Sequence, residues 1–313
     1  MDGIDKKPVN CGKVAFIGLG KMGLPIALNM ARGGIPLVVW NRTSDRCEPL
    51  REVGATIALT VAETFEQADT VVLMLFDSNA IDSVLGRSEA DFARLVAGHT
   101  IVNTSSVSPT YSRTLAADIA RAGGNYVEAP VSGSRIPAEK AQLVVMMAGD
   151  QRVLETVKPI LKPMCRHMIE CGQVGSALLM KLSVNLFLIV TLTGLSEAIH
   201  FAEKQGLDLD LVGEVLNASQ LASDVSRIKV EKIITRDFSP QAAMNDAWNS
   251  ANLILQAARE ADVSVSLVER CRDMYTETIS AGRQDEDMVS VIHAMEAQTA
   301  QLALRKRGSL HRQ

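Results

Sequence analysis

The sequence predicts an α/β protein in which a doubly wound parallel sheet is joined, by one long helix, to an all-α C-terminal domain. Two observations carry this prediction. As far as Gly172, short runs that are apolar throughout alternate with helical patterns, which is typical of parallel strands covered on both faces. From Gly175 onward, only helical patterns follow.

Seven apolar runs predict the strands of the N-terminal domain, and helix signals separate them. The signals include a helical pattern over 22–31, a capping box that starts at Thr60 and a capping Asp150. Alternation of this kind predicts right-handed crossovers between parallel strands. The apolar runs are 14–18, 36–40, 70–75, 100–103, 125–129, 143–148 and 167–171.

The stretch 174–205 has no proline and is apolar on nearly every side. At about 1.5 Å per residue it would form a helix about 50 Å long. Its uncharged run between Lys181 and Glu197 is shorter than the roughly 20 apolar residues of a membrane span. We therefore expect a buried helix and no membrane. Such a helix also suggests a subunit interface in a homodimer or homotetramer.

Beyond Gly206, five helical patterns predict the C-terminal domain. Ser239 followed by Pro240 is a start signal, with a capping serine and a proline at the first helical position. The predicted helices are 209–217, 223–235, 240–261, 265–282 and 286–303. The predicted boundaries are a flexible leader at 1–12, a sheet domain at 13–173, an interdomain helix at 174–206 and a helical domain at 207–313.

Composition narrows the function. The 313 residues carry a net charge of −4 and give an isoelectric point near 5.8, so nucleic-acid binding is not expected. The five cysteines are scattered without a CxxC pair, and we expect neither a disulfide framework nor a metal site. The first residues contain no apolar core of signal-peptide length, which favours a cytoplasmic protein.

The first predicted strand ends in a glycine-rich turn that opens the first predicted helix. In a G-x-G-x-x-G turn the first glycine makes the tight turn, the second lets backbone approach a pyrophosphate, and the third packs helix on strand. The helix N-terminus then attracts the phosphates. This context favours a dinucleotide site over a plain glycine turn. Its residues are Gly18, Leu19, Gly20, Lys21, Met22 and Gly23.

The second predicted strand ends at Trp40 and is followed by Asn41, Arg42 and Thr43. A site selective for NAD(H) usually has an acid at this point, and this chain has none. Arg42 can pair with a 2′-phosphate, while Asn41 and Thr43 can add hydrogen bonds. We therefore expect NADP(H) as cofactor, with NAD(H), or a merely exposed arginine, as the alternatives.

Three loops follow predicted strands at the carboxyl edge of the sheet, where open α/β sheets bind ligands. The first is expected to adjoin the cofactor, as are Thr104 and Ser106 of the second, and the second and third are rich in hydroxyls that could hold a small anion. Helix capping is the alternative for these serines and suits Ser108. The loop residues are Leu75 and Phe76, then Thr104, Ser105 and Ser106, then Ser132, Gly133 and Ser134.

Lys181 and Asn185 lie four residues apart near the start of the long helix, so both side chains are on one face. A lysine at the edge of an apolar helix needs a reason, because burial of an ammonium is costly. Taken alone, Lys181 could simply extend along the helix to solvent.

Five segments occur in an order and spacing that resemble the β-hydroxyacid dehydrogenases, the family of 3-hydroxyisobutyrate dehydrogenase, tartronate semialdehyde reductase and glyoxylate/succinic semialdehyde reductase. The segments are GLGKMGLPIALNM, WNRT, NTSSVSP, EAPVSGS and GSALLMKLSVN, and the resemblance covers Lys13 to about Ala300. It implies an NADP-binding Rossmann domain followed by a helical domain. It also implies that Lys181 is catalytic and that Asn185 is its partner. The further matches are Ser132 and Gly133 in a substrate-anion loop, Ser106 in the loop after the predicted strand 100–103, and Phe238 and Asp246 in a segment that closes over the nicotinamide.

Three positions depart from the usual pattern of this family. Val184 stands where asparagine is frequent, Asn245 where lysine is usual, and Ser134 where a second glycine is common. All three fall near the expected substrate pocket, so Ser134, Asn245 and Asp246 are further candidates for substrate binding.

The expected function is an NADPH-dependent reductase of a small anionic aldehyde or ketone, reversible as a dehydrogenase, with Lys181 as general acid. One alternative is a reductase of a non-carboxylate ketone such as a ketophosphonate. A second is an imine reductase, although these enzymes resemble the family but typically lack the lysine. A third is a non-catalytic NADPH-binding protein, against which Lys181 and Asn185 both argue.

Overall fold

A computed structural model describes residues 12–310, so the predicted leader lies outside the described residues except for Gly12. The chain divides into two compact units, the first ending at Lys181 and the second beginning at Leu182. The division falls within one long helix, and each unit contains part of it.

The first unit alternates strands and helices as predicted. Its strands are β1 (Val14–Ile17), β2 (Leu37–Trp40), β3 (Thr56–Ile57), β4 (Thr70–Leu73), β5 (Thr100–Asn103), β6 (Asn125–Glu128), β7 (Val131–Ser132), β8 (Leu143–Gly149) and β9 (Cys165–Glu170). Its helices are α1 (Gly23–Arg32), α2 (Glu48–Arg51), α3 (Val61–Gln67), α4 (Ser78–Leu85), α5 (Phe92–Val96), α6 (Pro109–Arg121), α7 (Arg135–Glu139) and α8 (Gln151–Leu161).

Six parallel strands form the main sheet in the order β3-β2-β1-β4-β5-β6. The chain reverses its direction of travel across the sheet between β1 and β4, and this switch point is where doubly wound folds bind ligands. Past β6 the sheet continues with β8, which is antiparallel to β6 and β7 and parallel to β9. The predicted doubly wound sheet is confirmed, with an antiparallel extension that the sequence did not indicate.

Both faces of the sheet are buried, which explains strands that are apolar throughout. Along β1, Val14 and Phe16 pack into one core cluster, while Ala15 and Ile17 pack into a second cluster on the other face. All four are at most 1% exposed. Successive side chains of a strand point to opposite faces, so helices on each side must cover them.

Thr60 and Asp150 cap helices as predicted, but the capping box at Thr60 is only half formed, because the Glu63 side chain accepts from Leu59 N. The Thr60 side chain accepts a hydrogen bond from Glu63 N, and Asp150 accepts from the amides of Arg152 and Val153. These bonds satisfy amides that have no partner within the first turn of a helix. The two shortest strands, β3 and β7, were not predicted, because two residues carry too little apolar pattern to be recognised.

The second unit is helical throughout its described residues, apart from an isolated bridge between Ala243 and Asp287. Its helices are α9 (Ser176–Lys204, shared with the first unit), α10 (Leu209–Ala218), α11 (Asp224–Ile234), α12 (Met244–Glu260), α13 (Ser266–Ser280) and α14 (Ile292–Leu310, after a short 3-10 turn at Met288–Val291).

The predicted start of α12 at Ser239-Pro240 is wrong, because the helix begins at Met244. The intervening amides are bonded elsewhere: those of Gln241 and Ala242 donate to the Asp287 carboxylate, and that of Met244 donates to Glu286 O. Asp287 is 0% exposed and also pairs with Lys229, whose Nζ lies 2.7 Å from both oxygens. A tertiary ion pair thus outweighs a local start signal.

Helix α9 buries only one side in the single chain, so the expectation of burial on nearly every side is wrong here. Leu182, Ile189 and Ile199 face the core of the second unit, whereas Phe187 is 72% and Phe201 64% exposed. By length and composition α9 could cross a membrane: its most apolar window has a mean hydropathy of 1.9, and 33% of that window is buried.

Candidate functional site

The glycine turn between β1 and α1 has the geometry of a phosphate-binding loop. Gly18 has φ +102°, and a Cβ on it would lie 2.2 Å from Met74 O. A Cβ on Gly23, the first residue of α1, would lie 1.9 Å from Gly18 O. Gly20, in contrast, has open space within 4 Å of an added Cβ, so a ligand can approach its backbone. The first and third glycines are therefore required by packing, and the second leaves room for a pyrophosphate.

Asn41 holds this loop in place, a role that the sequence analysis did not foresee. Its Oδ1 accepts a hydrogen bond from Leu19 N (2.9 Å), and its Nδ2 donates to Thr43 O (2.9 Å). Both polar atoms of the Asn41 side chain thus have hydrogen-bond partners within the protein. Arg42 and Thr43 follow it at the end of β2 and are exposed, so their side chains remain available to a ligand.

The hydroxyl-rich loop after β5 uses most of its hydroxyls internally. Thr104 is 1% exposed, and its Oγ1 donates to Leu73 O (2.7 Å). The buried Ser105 Oγ accepts from Leu75 N (2.8 Å), which fixes the start of the loop that carries the exposed Phe76. Of the three consecutive hydroxyl residues 104–106, only Ser106 is half-buried rather than buried. Ser106 therefore has the hydroxyl of this loop that is most accessible to a ligand, and the predicted ligand contacts of Thr104 and Ser106 stay predictions. Farther along, Ser108 caps α6 through Tyr111 N, as predicted.

A buried carboxylate at the end of β6 ties the sheet to the start of α9. Glu128 is 0% exposed, and its oxygens accept from Ser112 Oγ (2.6 Å), Gly175 N (2.8 Å) and Leu178 N (2.8 Å). Burial raises the pKa of this carboxyl, and the hydrogen bonds from Ser112 and the two amides oppose the rise. Glu128 was not among the predicted site residues. A glutamate at the end of an apolar strand could have indicated a buried, hydrogen-bonded carboxylate.

Lys181 lies about one turn further along α9, and its side chain reaches Val131, the first residue of β7. Its Nζ donates to Val131 O at 2.5 Å, and the residue is half-buried. Desolvation by burial lowers the pKa of the Lys181 ammonium to about 8. The simple alternative, in which this lysine extends into solvent, does not describe the structure. Val131 directly precedes Ser132 and Gly133, so the ammonium lies beside the predicted anion loop.

That loop is shaped by its glycine. Gly133 has φ +131°, a conformation that disfavours side chains, and a Cβ on it would lie 2.7 Å from Leu143 Cδ2. Ser132 belongs to β7 and is half-buried, and Ser134 occupies the position before α7. The sequence Val131–Ser134 therefore presents a half-buried hydroxyl and a backbone that only glycine accommodates.

The remaining predicted site residues belong to the second unit. Asn185 Nδ2 donates to Ser250 Oγ of α12 (3.3 Å), and the Phe238 ring packs edge-on against His293. Asn245 and Asp246 lie in the first turn of α12, and Asn245 N donates to Gln284 O (3.1 Å). Their expected contacts with substrate or nicotinamide stay predictions.

Comparison with known proteins identifies the family. The family model of the NAD-binding domain of 6-phosphogluconate dehydrogenase matches residues 13–175, and that of the NAD-binding domain of NADP-dependent 3-hydroxyisobutyrate dehydrogenase matches residues 175–295. Chloroplastic glyoxylate/succinic semialdehyde reductase 2 of Arabidopsis thaliana is 31% identical over 285 residues, which cover 91% of this chain and 79% of the relative. The chain belongs to the β-hydroxyacid dehydrogenase family.

One further relative agrees with this assignment, and a solved structure has the same fold. The 2-hydroxy-3-oxopropionate reductase of Escherichia coli K12 is 29% identical over 91% of this chain and 97% of its own. The solved structure of Mycobacterium tuberculosis 3-hydroxyisobutyrate dehydrogenase has the same fold, with a TM-score of 0.80 at 24% identity, covering 91% of this chain and 99% of that one. This β-hydroxyacid dehydrogenase is thus an NAD(P)-dependent oxidoreductase acting on CH–OH groups, and its glycine loop fits the cofactor.

Proposed function

We propose that the protein is an NADPH-dependent reductase of a small aldehyde or ketone that carries an anionic group, and that the reaction is reversible. The observation that carries the proposal is Lys181, whose half-buried ammonium donates to Val131 O beside the Ser132–Gly133 loop and whose pKa is lowered to about 8. A pKa close to the working pH is the property that general acid–base catalysis needs.

Lys181 supplies the proton of the reaction. Reduced nicotinamide supplies a hydride when it is bound. As negative charge develops on the carbonyl oxygen, the Lys181 ammonium donates a hydrogen bond to it and then transfers its proton. In the reverse direction the neutral amine accepts the proton of the alcohol. Val131 O keeps Nζ directed at this position, and Asn185, one helical turn further on, is proposed to orient it.

We propose that the enzyme binds its substrate through a small anionic group. Ser132, the Gly133 backbone and Ser106 offer a half-exposed set of donors on two neighbouring loops. The names of the relatives point to the same class, because they act on glyoxylate, succinic semialdehyde or 2-hydroxy-3-oxopropionate. At position 245, where lysine is usual in the family, asparagine supplies no positive charge for a carboxylate. Asn245 therefore favours a second candidate substrate class, a ketone without a carboxylate.

The exposed Arg42 supports a preference for NADPH, since it follows β2 where an NAD-selective site would carry an acid. The exposed apolar side of α9 supports self-association, because Phe187 and Phe201 would otherwise face water. We propose at least a dimer with α9 in its interface.

The test of the proposed function is Lys181→Met, measured with NADPH and a panel of glyoxylate, succinic semialdehyde, a ketophosphonate and a cyclic imine. We expect unchanged NADPH affinity and a loss of turnover of roughly 10²–10⁴, the usual contribution of a positioned acid. Lys162→Met, which removes an exposed lysine, is the control and should keep full activity. A Lys181→Met enzyme that keeps a third of the wild-type rate, or a wild type that reduces only the imine, would contradict the proposal.

A further inference from the structure

The second unit contains a cluster of histidine and glutamate side chains that belongs to none of the predicted motifs. Two His-x-x-Glu pairs face each other on two helices: His200 and Glu203 on α9, and His293 and Glu296 on α14. The side chains of His200, Glu203 and Glu296 each offer a ligand atom, and these atoms lie within 4.8 Å of one another. Residues three apart share a helix face, which explains how two helices bring four such groups together.

His200 is the central member, and its ring is fixed with one nitrogen free of hydrogen bonds. The residue is 7% exposed, and Nε2 lies 2.8 Å from Thr299 Oγ1. Within the described part of the chain, its buried Nδ1 and the buried Oε2 of Glu203 both lack a hydrogen-bond partner. The exposed Lys204 places its ammonium 3.4 Å from Glu203 Oε2, whereas Nδ1 of His200 stays buried without a hydrogen bond, which is costly.

The separation of these two atoms suggests what lies between them. Nδ1 of His200 and Oε2 of Glu203 are 3.7 Å apart, which is too long for a hydrogen bond. Nitrogen and oxygen ligands of zinc lie about 2.0–2.2 Å from the ion, so two ligands at a tetrahedral angle are roughly 3.4 Å apart. These two atoms therefore have the spacing of two ligands of one ion.

We propose that His200 Nδ1, the Glu203 carboxylate and the Glu296 carboxylate form a site for a divalent first-row transition metal, of which Zn²⁺ is the best-suited occupant. An imidazole with two carboxylates suits such ions, whereas Mg²⁺ and Ca²⁺ prefer oxygen ligands alone. The site belongs to the helical unit and is independent of the proposed reductase chemistry. It departs from the sequence-based expectation that the chain has no metal site.

The surroundings of the cluster resemble the outer shell of a metal site. A metal-ligating histidine usually has its second ring nitrogen hydrogen-bonded, as Thr299 does for His200, and ligating carboxylates are themselves hydrogen-bonded. His293 Nδ1 lies 2.9 Å from Glu296 Oε2.

Arg236 is the competitor of the metal ion. Its guanidinium contacts Oε1 of Glu203 (3.5 Å) and Oε1 of Glu296. The Lys204 ammonium lies 3.4 Å from Oε2 of Glu203, so it too must give way to the ion. The arginine side chain is 41% exposed, so it lies on the solvent side and can move away to open an entry path. The competing explanation is a plain ion-pair cluster in which Arg236 is the permanent cation.

The experiment titrates the full chain, stripped with chelator, with Zn²⁺ by calorimetry and with Co²⁺ by visible absorption. We expect one equivalent of each ion, a Co²⁺ spectrum without thiolate bands, and no binding of Mg²⁺. His200→Gln should weaken Zn²⁺ binding at least about 100-fold, because it removes one of three ligands. His167→Gln removes an exposed histidine of the first unit and should leave affinity unchanged. NADPH affinity reports the integrity of each variant.

Arg236→Asn separates the two explanations. Arg236 has φ +56°, which asparagine tolerates, so the substitution removes the charge without straining the backbone. If the arginine competes with an ion, Zn²⁺ affinity should rise on the order of tenfold. Absence of stoichiometric Zn²⁺ binding by wild type and by Arg236→Asn, equal binding by His200→Gln and wild type, or thiolate bands in the Co²⁺ spectrum would each overturn the proposal.

Discussion

The bond network of Glu128 leads to a quantitative prediction about how the catalytic helix is held. The Glu128 Oε2 atom accepts from Ser112 Oγ and Gly175 N, and its Oε1 accepts from Leu178 N. Leu178 is three residues before Lys181, so the carboxylate fixes the turn of α9 that leads to the lysine. Glu128→Gln keeps the shape of the side chain but replaces one acceptor oxygen by a donor NH₂ group.

The magnitude follows from the bonds that are lost. With the amide oxygen turned to Ser112 and Gly175, the NH₂ group faces the N–H of Leu178, and two donors oppose each other. A buried N–H without a partner costs about 1–3 kcal/mol, and loss of a negative charge at a helix N-terminus adds up to about 2 kcal/mol. The start of α9 should therefore open more readily by roughly 2–4 kcal/mol, which corresponds to roughly 30- to 1000-fold faster exchange of its amides.

Hydrogen–deuterium exchange of peptides covering 172–182, together with steady-state kinetics, measures this effect. We expect kcat to fall about tenfold or more because Lys181 loses its fixed position, while the KM for NADPH changes little because the glycine loop is untouched. Glu66→Gln, at an exposed position of α3, is the control and should match wild type in both assays. Wild-type exchange in this segment with an unchanged kcat would refute the reasoning.

Three further predictions concern the cofactor, the proton donor and assembly. Because reduction needs protonated Lys181, whose pKa is about 8, kcat for reduction should fall about tenfold from pH 7 to pH 9 and kcat for oxidation should rise; a flat profile would remove the lysine from the proton transfer. Arg42→Ala should raise the KM for NADPH by a factor equivalent to about 1.5–3 kcal/mol and leave that for NADH nearly unchanged, as measured by initial rates; equal effects would show that Arg42 does not contact the 2′-phosphate. Phe187→Glu should convert the proposed dimer to monomer in sedimentation velocity, whereas Leu59→Glu, 86% exposed outside α9, should not; a wild-type monomer at micromolar concentration would contradict the interface.

The sequence was sufficient for the order of the longer strands and helices because their signals are local. An apolar run such as the one in β1 is required by burial on both faces, and the glycine turn is required by the contacts of Gly18 and Gly23. The start of α12 was missed for the opposite reason. The amides that would have begun a helix after Ser239 donate instead to Asp287, almost fifty residues away, and no local pattern reports such a partner.

In the candidate site, too, the hydrogen-bond partner of a single side chain could not be predicted from the local sequence. Residue type correctly identified loops that could bind a ligand, but the role of each polar group depends on whether an unsatisfied backbone amide or carbonyl lies within reach. Asn41 and Ser105 accept hydrogen bonds from such amides, and Thr104 donates to a carbonyl, so each of these side chains has a structural role in its loop. Arg42 is exposed and Ser106 and Ser132 are half-buried, and among the described residues no hydrogen bond to the protein was identified for these three side chains. A ligand competes with water rather than with the protein at these three positions, and substitutions there should change binding more than stability.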